Sequence, residues 1–282
     1  MIAIPKKTLR NGFSMPILGL GTWGMGGWVQ RDDSHDKEDV AAIQYAIEAG
    51  ITHIDTAERY AEGHAEELVG QAIRGMDRSR LLLVSKASPE HFAYDDLLRT
   101  AEASLARLGT PYLDIYLLHD PNPAIPLKET MRAMDRLVNE GLIRHIGLSN
   151  FGAEGIKEAQ QYAKHPIVAN QMHYNLLIRT VEQQGLLEQA KKDDWLLIAW
   201  RPIRDVLRME NPPEILGSLC RKYGKTKAQI ALSWVLSQEN VVTLTKCGSR
   251  EHIAEALGAL GWVMDEADIE RLRANFLTPS PL

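Results

Sequence analysis

The chain has 282 residues, 45% of them hydrophobic and 24% charged, with a net charge of −5. That composition suits a globular protein with a large core, and its acidic balance offers no basic footprint for nucleic acid. No run of about 18 apolar residues could span a membrane, and the N-terminus lacks the apolar segment and cleavage site of a signal peptide. The two cysteines, Cys220 and Cys247, have no CxxC spacing, so a disulfide scaffold or a thiolate zinc site is not expected, and a cytoplasmic location is.

In chain order, short apolar runs alternate with helical patterns. A hairpin over residues 1–16 is expected to cap the bottom of the fold. Candidate strands follow at 17–23 (ILGLGTW), 52–57 (THIDTA) and 81–87 (LLLVSKA). Then DDLLRTAEASLARLG places Leu97, Leu98, Ala101, Leu105 and Leu108 on one helical face and stops at Gly109. A strand at 113–119 (LDIYLLH) precedes LKETMRAMDRLVNEG, whose Met131, Met134, Leu137 and Val138 repeat the pattern before Gly141. Four more strands are expected at 143–150, 167–173, 196–202 and 241–246, and DEADIERLRANF opens a last helix with acids at its positive end. Most strands read as continuous apolar runs, the mark of parallel strands buried on both faces. Eight of them, alternating with helices and uninterrupted by any linker, predict a single-domain (β/α)8 TIM barrel. A doubly wound sheet is the alternative; the glycines of GLGTWGMGG lack the GxGxxG spacing it would want.

Barrel sites lie at the C-terminal ends of the strands. Standing there are Gly21, Thr22 and Trp23; Asp55, with Tyr60 just beyond; Lys86; His119; Ser149 and Asn150; Gln171; Trp200; and Lys246. An aspartate and a lysine buried in a barrel mouth are costly apart, so they are expected to pair. A phenol beside that ammonium is expected to have its pKa drawn below about 10, making Tyr60 a proton donor to a carbonyl oxygen, with His119 orienting the same oxygen. Such a group supplies an acid but no nucleophile, so hydride from a nicotinamide is the natural partner.

These motifs resemble the aldo-keto reductase superfamily over nearly the whole chain: GLGTW, HIDTAERYAEGHAEELVGQAI, LLLVSKA, LDIYLLHDPNP, GLIRHIGLSNF and NQMHYN, in the family's order. The resemblance implies NADPH-dependent reduction of small aldehydes and ketones, with NADH as a second cofactor, by a monomer without metal, nucleic-acid or membrane partners. It implies a tetrad of Asp55, Tyr60, Lys86 and His119, with Tyr60 the general acid. Ser149, Asn150 and Gln171 would hold the carboxamide and Trp200 would stack on the nicotinamide. Gly21, Thr22, Trp23, Arg201, Pro202 and Ile203 would line the cofactor, with Asp55 beside it. Lys246, Cys247, Gly248, Ser249, Arg250, His252 and Glu255 match the adenosine 2′-phosphate segment. Trp23, Trp28, Tyr60, His119 and Asp120 would form the substrate pocket.

Three departures stand out. His252 and Ala256 occupy positions where the family often has arginine and asparagine, Asp120 stands where many members have tryptophan, and only LTPSPL follows the last helix. A histidine is a weaker phosphate partner than arginine and a pH-dependent one. Two other readings stay open: a nucleotide-binding regulatory protein with little turnover, and a Schiff-base aldolase built on Lys86. His53 and His173 are read as structural. His35, His64, His91, His145 and His165 are assigned no role.

Overall fold

The computed structural model of the protein describes residues 3–246 and 248–276. Two short strands, β1 (Lys6–Thr8) and β2 (Ser14–Pro16), pair antiparallel. The next eight are β3 (Leu18–Gly21), β4 (His53–Asp55), β5 (Leu82–Ala87), β6 (Leu113–Leu118), β7 (Ile143–Ser149), β8 (Ile167–His173), β9 (Leu196–Trp200) and β10 (Val241–Thr245). They close in sequence order into a parallel barrel, with β10 paired to β3. This is the (β/α)8 barrel expected from the sequence, with a site-bearing residue at the end of each strand or just past it.

Helices cover the barrel: α1 (Asp36–Glu48), α2 (His64–Ala72), α3 (Tyr94–Leu108), α4 (Leu127–Asn139), α5 (Ala153–Tyr162), α6 (Thr180–Gln183) and α7 (Leu186–Asp193). The second half adds α8 (Arg204–Leu207), α9 (Glu214–Tyr223), α10 (Lys227–Leu236), α11 (Arg250–Leu257) and α12 (Glu266–Asn275). The periodicity of α3 and α4 is realised: Leu97, Ala101, Leu105 and Leu108, and Met131, Met134 and Leu137, are buried. Gly109 adopts the left-handed C-cap conformation.

The barrel interior has its own core. Val84, Ile115, Leu117, Ala169, Ile198 and Leu244 pack there, joined by Leu9, Phe13 and Met15 from the hairpin end of the chain. Lys7 holds that segment in place, its Nζ donating to the carbonyls of Leu236, Gln238 and Val241. The alternation of strand side chains then carries the inward face upward. Two residues beyond Val84 comes Lys86, beyond Leu117 His119, beyond Ala169 Gln171, beyond Ile198 Trp200, and beyond Leu244 Lys246. One apolar layer at the bottom and one polar layer at the rim therefore come from a single phase of each strand. Thr22 is out of phase with Gly21; it is fully buried, and its hydroxyl donates to the carbonyl of Asp55 at 3.1 Å.

Candidate active site

Asp55, Lys86, Tyr60 and His119 meet at the rim, each at least nine-tenths buried. The Lys86 ammonium donates to Asp55 Oδ1 at 2.6 Å, to the Thr56 carbonyl at 2.7 Å and to the Tyr60 hydroxyl at 3.1 Å. Asp55 Oδ2 accepts from Gln171 Nε2 at 2.7 Å, so both carboxylate oxygens are satisfied. The rings of Tyr60 and His119 meet edge-on at 5.7 Å, and Trp23 meets Tyr60 edge-on at 4.8 Å.

Tyr60 is placed by an unusual turn. Ala61 and Glu62 have φ of 50° and 58°, and Gly63 follows at 89°. Two consecutive non-glycine residues in the left-handed region carry strain of the kind that collects at functional sites. Glu58 anchors the same loop, accepting from the Ser88 N–H at 2.5 Å and lying 3.0 Å from His91 Nδ1.

The electrostatics correct one expectation. Burial raises the Tyr60 pKa above its ordinary value; Lys86 opposes this and Asp55 reinforces it. The lysine does not draw the phenol below 10, because removing a phenolate from water costs more here than one partly neutralised ammonium returns. Burial also works against the Lys86 charge, but Asp55 and Tyr60 outweigh it and raise its pKa. Burial, with Lys86 and then Arg59, lowers the His119 pKa, so its imidazole is neutral. His53 lies below Asp55 on the inward face, where burial and Lys86 lower its pKa to about 3; neither of its ring nitrogens has a partner among the described residues.

A cavity of about 680 Å³ opens above this group. Its walls include Gly21, Trp23, Trp28, Ser149, Asn150, Gln171, Trp200, Arg201, Pro202, Ile203 and Lys246, as well as Asp55, Tyr60 and His119. Ser149 and Gln171 are Cα partners across β7 and β8, as are His173 and Trp200 across β8 and β9. Paired residues share a face, which explains why His173 stacks flat under the Trp200 indole at 4.2 Å. His173 is held in turn by Asp205 at 3.0 Å.

Some residues singled out in the sequence lie elsewhere. Asp120 does not line the cavity; its carboxylate is shared by Arg59 at 2.9 Å and Asn150 Nδ2 at 2.7 Å. Gly248, Ser249, Arg250, His252 and Glu255 lie beyond the cavity walls, at and along α11. Ser249 caps that helix by accepting from the His252 N–H, and Arg250 rests on the Tyr45 ring of α1. Cys247 and LTPSPL fall outside the described residues.

Sequence reading missed Arg59, Arg204, Arg208, Leu244 and Thr245 among the lining residues. For the arginines a signal existed: positions 201, 204 and 208 repeat at helical spacing. It also passed over His64, whose Nδ1 is 2.9 Å from Glu67 and whose Nε2 is 2.8 Å from Asp36 and 3.2 Å from Asp33. These contacts tie the start of α2 to the loop after β3, the loop that carries Trp23 and Trp28. The approach is close: at Gly26, which has φ 65°, a Cβ would lie 2.6 Å from the His64 ring.

A family model described as Aldo/keto reductase family matches residues 17–275. The chain belongs to the aldo/keto reductase family. It is thus an oxidoreductase, similar to reductases with known carbonyl substrates. It is 33% identical to the methylglyoxal reductase YeaE of Escherichia coli over 270 residues, covering 94% of this chain and 93% of that one. It is 32% identical to the glyoxal reductase of Bacillus subtilis, covering 94% and 91%. Among solved structures, an aldo/keto reductase from Klebsiella pneumoniae in complex with NADP and acetate superposes with a TM-score of 0.89 at 36% identity, covering 99% of this chain and 98% of that one. A thermostable aldo-keto reductase bound to the inhibitor epalrestat reaches 0.93 at 44% identity, covering 96% and 99%.

Proposed function

We propose that the protein is an NADPH-dependent carbonyl reductase with Tyr60 as its general acid. The observation that carries this reading is the Tyr60 hydroxyl, held 3.1 Å from a buried Lys86 ammonium and opening on a cavity. The residues present fit a nicotinamide dinucleotide. Trp200 offers a fixed aromatic face, Ser149 and Gln171 place polar groups beside it, and Lys246 brings a cation to the far rim. When bound, NADPH supplies the hydride.

The chain's own part is the proton. A substrate carbonyl oxygen seated near Tyr60 gains negative charge as its carbon is reduced. A phenol with a raised pKa stays protonated until then, and is still far more acidic than the alcohol being formed. As the proton leaves, Lys86 stabilises the phenolate, so its charge matters most in the transition state. Neutral His119 can donate one hydrogen bond to the same oxygen. Trp23 and Trp28, edge-on to each other, give one side of the cavity an aromatic wall.

The named relatives support small reactive aldehydes and α-dicarbonyls such as methylglyoxal as substrates. A site built from one chain supports a monomer. The Lys86–Asp55 ion pair speaks against an aldolase, since a Schiff base needs a neutral amine. Purified protein with NADPH and methylglyoxal, followed by nicotinamide absorbance, tests the reading. Oxidation of NADPH that disappears in Tyr60→Phe is expected. Absence of turnover across a panel of aldehydes, with cofactor binding intact, would favour the regulatory reading instead.

A further inference from the structure

Outside the cavity, the short stretches DSHD (33–36) and HAEE (64–67) each place two metal-ligating side chains three positions apart. Residues at that spacing share one helical face. Asp33 lies in the single turn before α1 and Asp36 opens α1, while His64 and Glu67 stand in the first turn of α2. Because α1 packs beside α2, the two pairs face each other. His64 Nε2 lies 2.8 Å from Asp36 Oδ1 and 3.2 Å from Asp33 Oδ1, and its Nδ1 lies 2.9 Å from Glu67 Oε2. Ligand atoms of Asp33, Asp36 and His64 all fall within 4.8 Å of one another.

The imidazole separates this cluster from a patch of surface acids. It is 1% exposed, and a Cβ at Gly26 would stand 2.6 Å from its Cδ2, so the ring has little room to turn. Both nitrogens face carboxylate oxygens, yet a neutral imidazole carries one N–H. With Nδ1–H donated to Glu67, the Nε2 lone pair points at two oxygens that hold only lone pairs themselves. Among the described residues Arg31 is the cation that touches the group, with Nε 2.7 Å from Asp33 Oδ1 and Nη1 2.9 Å from Glu67 Oε2. Three carboxylates against one guanidinium leave two negative charges unmatched around a neutral ring. A proton on Nε2 removes one of them. A divalent ion removes both and bonds Nε2 and the two aspartates at once. Ligands at right angles on an ion about 2.1 Å away stand about 3.0 Å apart, and the two separations from Nε2 straddle that value. Glu67 then takes the part of the carboxylate that fixes the tautomer of a metal-bound histidine.

We propose that His64, Asp33 and Asp36 form a binding site for a divalent transition-metal ion of the zinc class, with His64 Nε2 and one oxygen of each aspartate as ligands. An imidazole among carboxylates suits Zn²⁺ better than Ca²⁺ or Mg²⁺, which prefer oxygen alone. On binding, His64 keeps its Nδ1 proton and releases any Nε2 proton to solvent. Asp33 is exposed and Asp36 half-buried, which leaves the ion an open side from which to enter. The ion takes no part in the proton or hydride step. It fastens the loop after β3, which brings Trp23 and Trp28 to the cavity wall, to the helix that follows the Tyr60 turn.

The whole protein is freed of metal with EDTA, returned to chelator-free buffer at neutral pH and titrated with ZnCl2 by calorimetry, with the melting temperature followed in parallel. One ion per chain and a melting temperature that rises with zinc are expected. H64Q and, separately, D33N/D36N should bind zinc about tenfold or more weakly, whereas H165Q, at a histidine outside the cluster, should keep the wild-type affinity. D33N/D36N changes side chains at the open side of the site and decides alone should H64Q fail to fold. CaCl2 should bind about tenfold or more weakly than ZnCl2; equal affinities would show that the imidazole is not a ligand and overturn the site. So would the lack of saturable zinc binding in the wild-type protein, wild-type affinity in either cluster variant, or loss of binding in H165Q.

Discussion

Lys86 Nζ lies 2.6 Å from Asp55 Oδ1 and 3.1 Å from the Tyr60 hydroxyl, with no exposed surface of its own. One ammonium therefore serves two purposes. It neutralises a buried carboxylate in the resting protein, and it waits beside a phenol that becomes charged only during reaction. The chemistry and the stability of the rim are coupled through this atom.

Tyr60→Phe keeps the ring against Trp23 and His119 and removes only the hydroxyl. We expect kcat to fall by about 10²–10⁴, the span usual for loss of a general acid, with cofactor affinity retained. Steady-state kinetics and a fluorescence titration on the same preparation check both halves.

Lys86→Met should cripple turnover although Tyr60 remains, because nothing then stabilises the phenolate. It also leaves Asp55 buried without its ion, which costs about 3–5 kcal/mol. A variant that melts as wild type does and keeps its turnover would show that the pair is not coupled to the acid.

The pH profile follows from the directions of the shifts. Tyr60 and Lys86 are moved upward and His119 downward. None of the three changes charge between about pH 6 and 9, so kcat for reduction should be flat across that range. A break near pH 6.5 would mean that His119 titrates in the working enzyme.

His64 should make the loop after β3 sensitive to pH. Burial lowers its pKa, but its bonds to Glu67 and Asp36 more than offset this, and the net shift is upward. Its contribution to stability is then fully present below the unfolded value of about 6.5 and is lost as pH rises through the higher folded value. The melting temperature of His64→Gln should lie below wild type at pH 5.5, with a smaller gap at pH 8.5. An equal gap at both would remove the charged form from the account.

Lys246 and His252 bear on cofactor choice. Lys246→Ala should weaken NADPH about tenfold, the worth of a charge-assisted contact, and NADH much less, since only NADPH carries the 2′-phosphate. His252→Arg should strengthen NADPH alone. Tryptophan quenching, with Trp200 on the cavity wall, reads both constants; equal responses to the two cofactors would show that no 2′-phosphate clamp forms at α11.

Much of this protein was legible in the chain itself. Eight apolar runs, with helical stripes such as Leu97–Leu108 between them, point to a parallel sheet covered on both faces, and the missing GxGxxG spacing favours a barrel over a doubly wound sheet. The types of residue at the strand ends, Asp55, Lys86 and His119, with Tyr60 just beyond, are local facts that sequence order preserves. What only the tertiary structure decided depends on closure. Closing the barrel brought Gln171 to Asp55, 116 positions away, and set His173 beneath Trp200 through the register of β8 and β9. It turned Asp120 to Arg59 and Asn150 and away from the cavity, although it directly follows His119. It also reversed the expected shift of Tyr60, because a pKa weighs a neighbouring charge against lost water. Neighbours can be guessed from a motif, but the depth of burial exists only once the strands have closed.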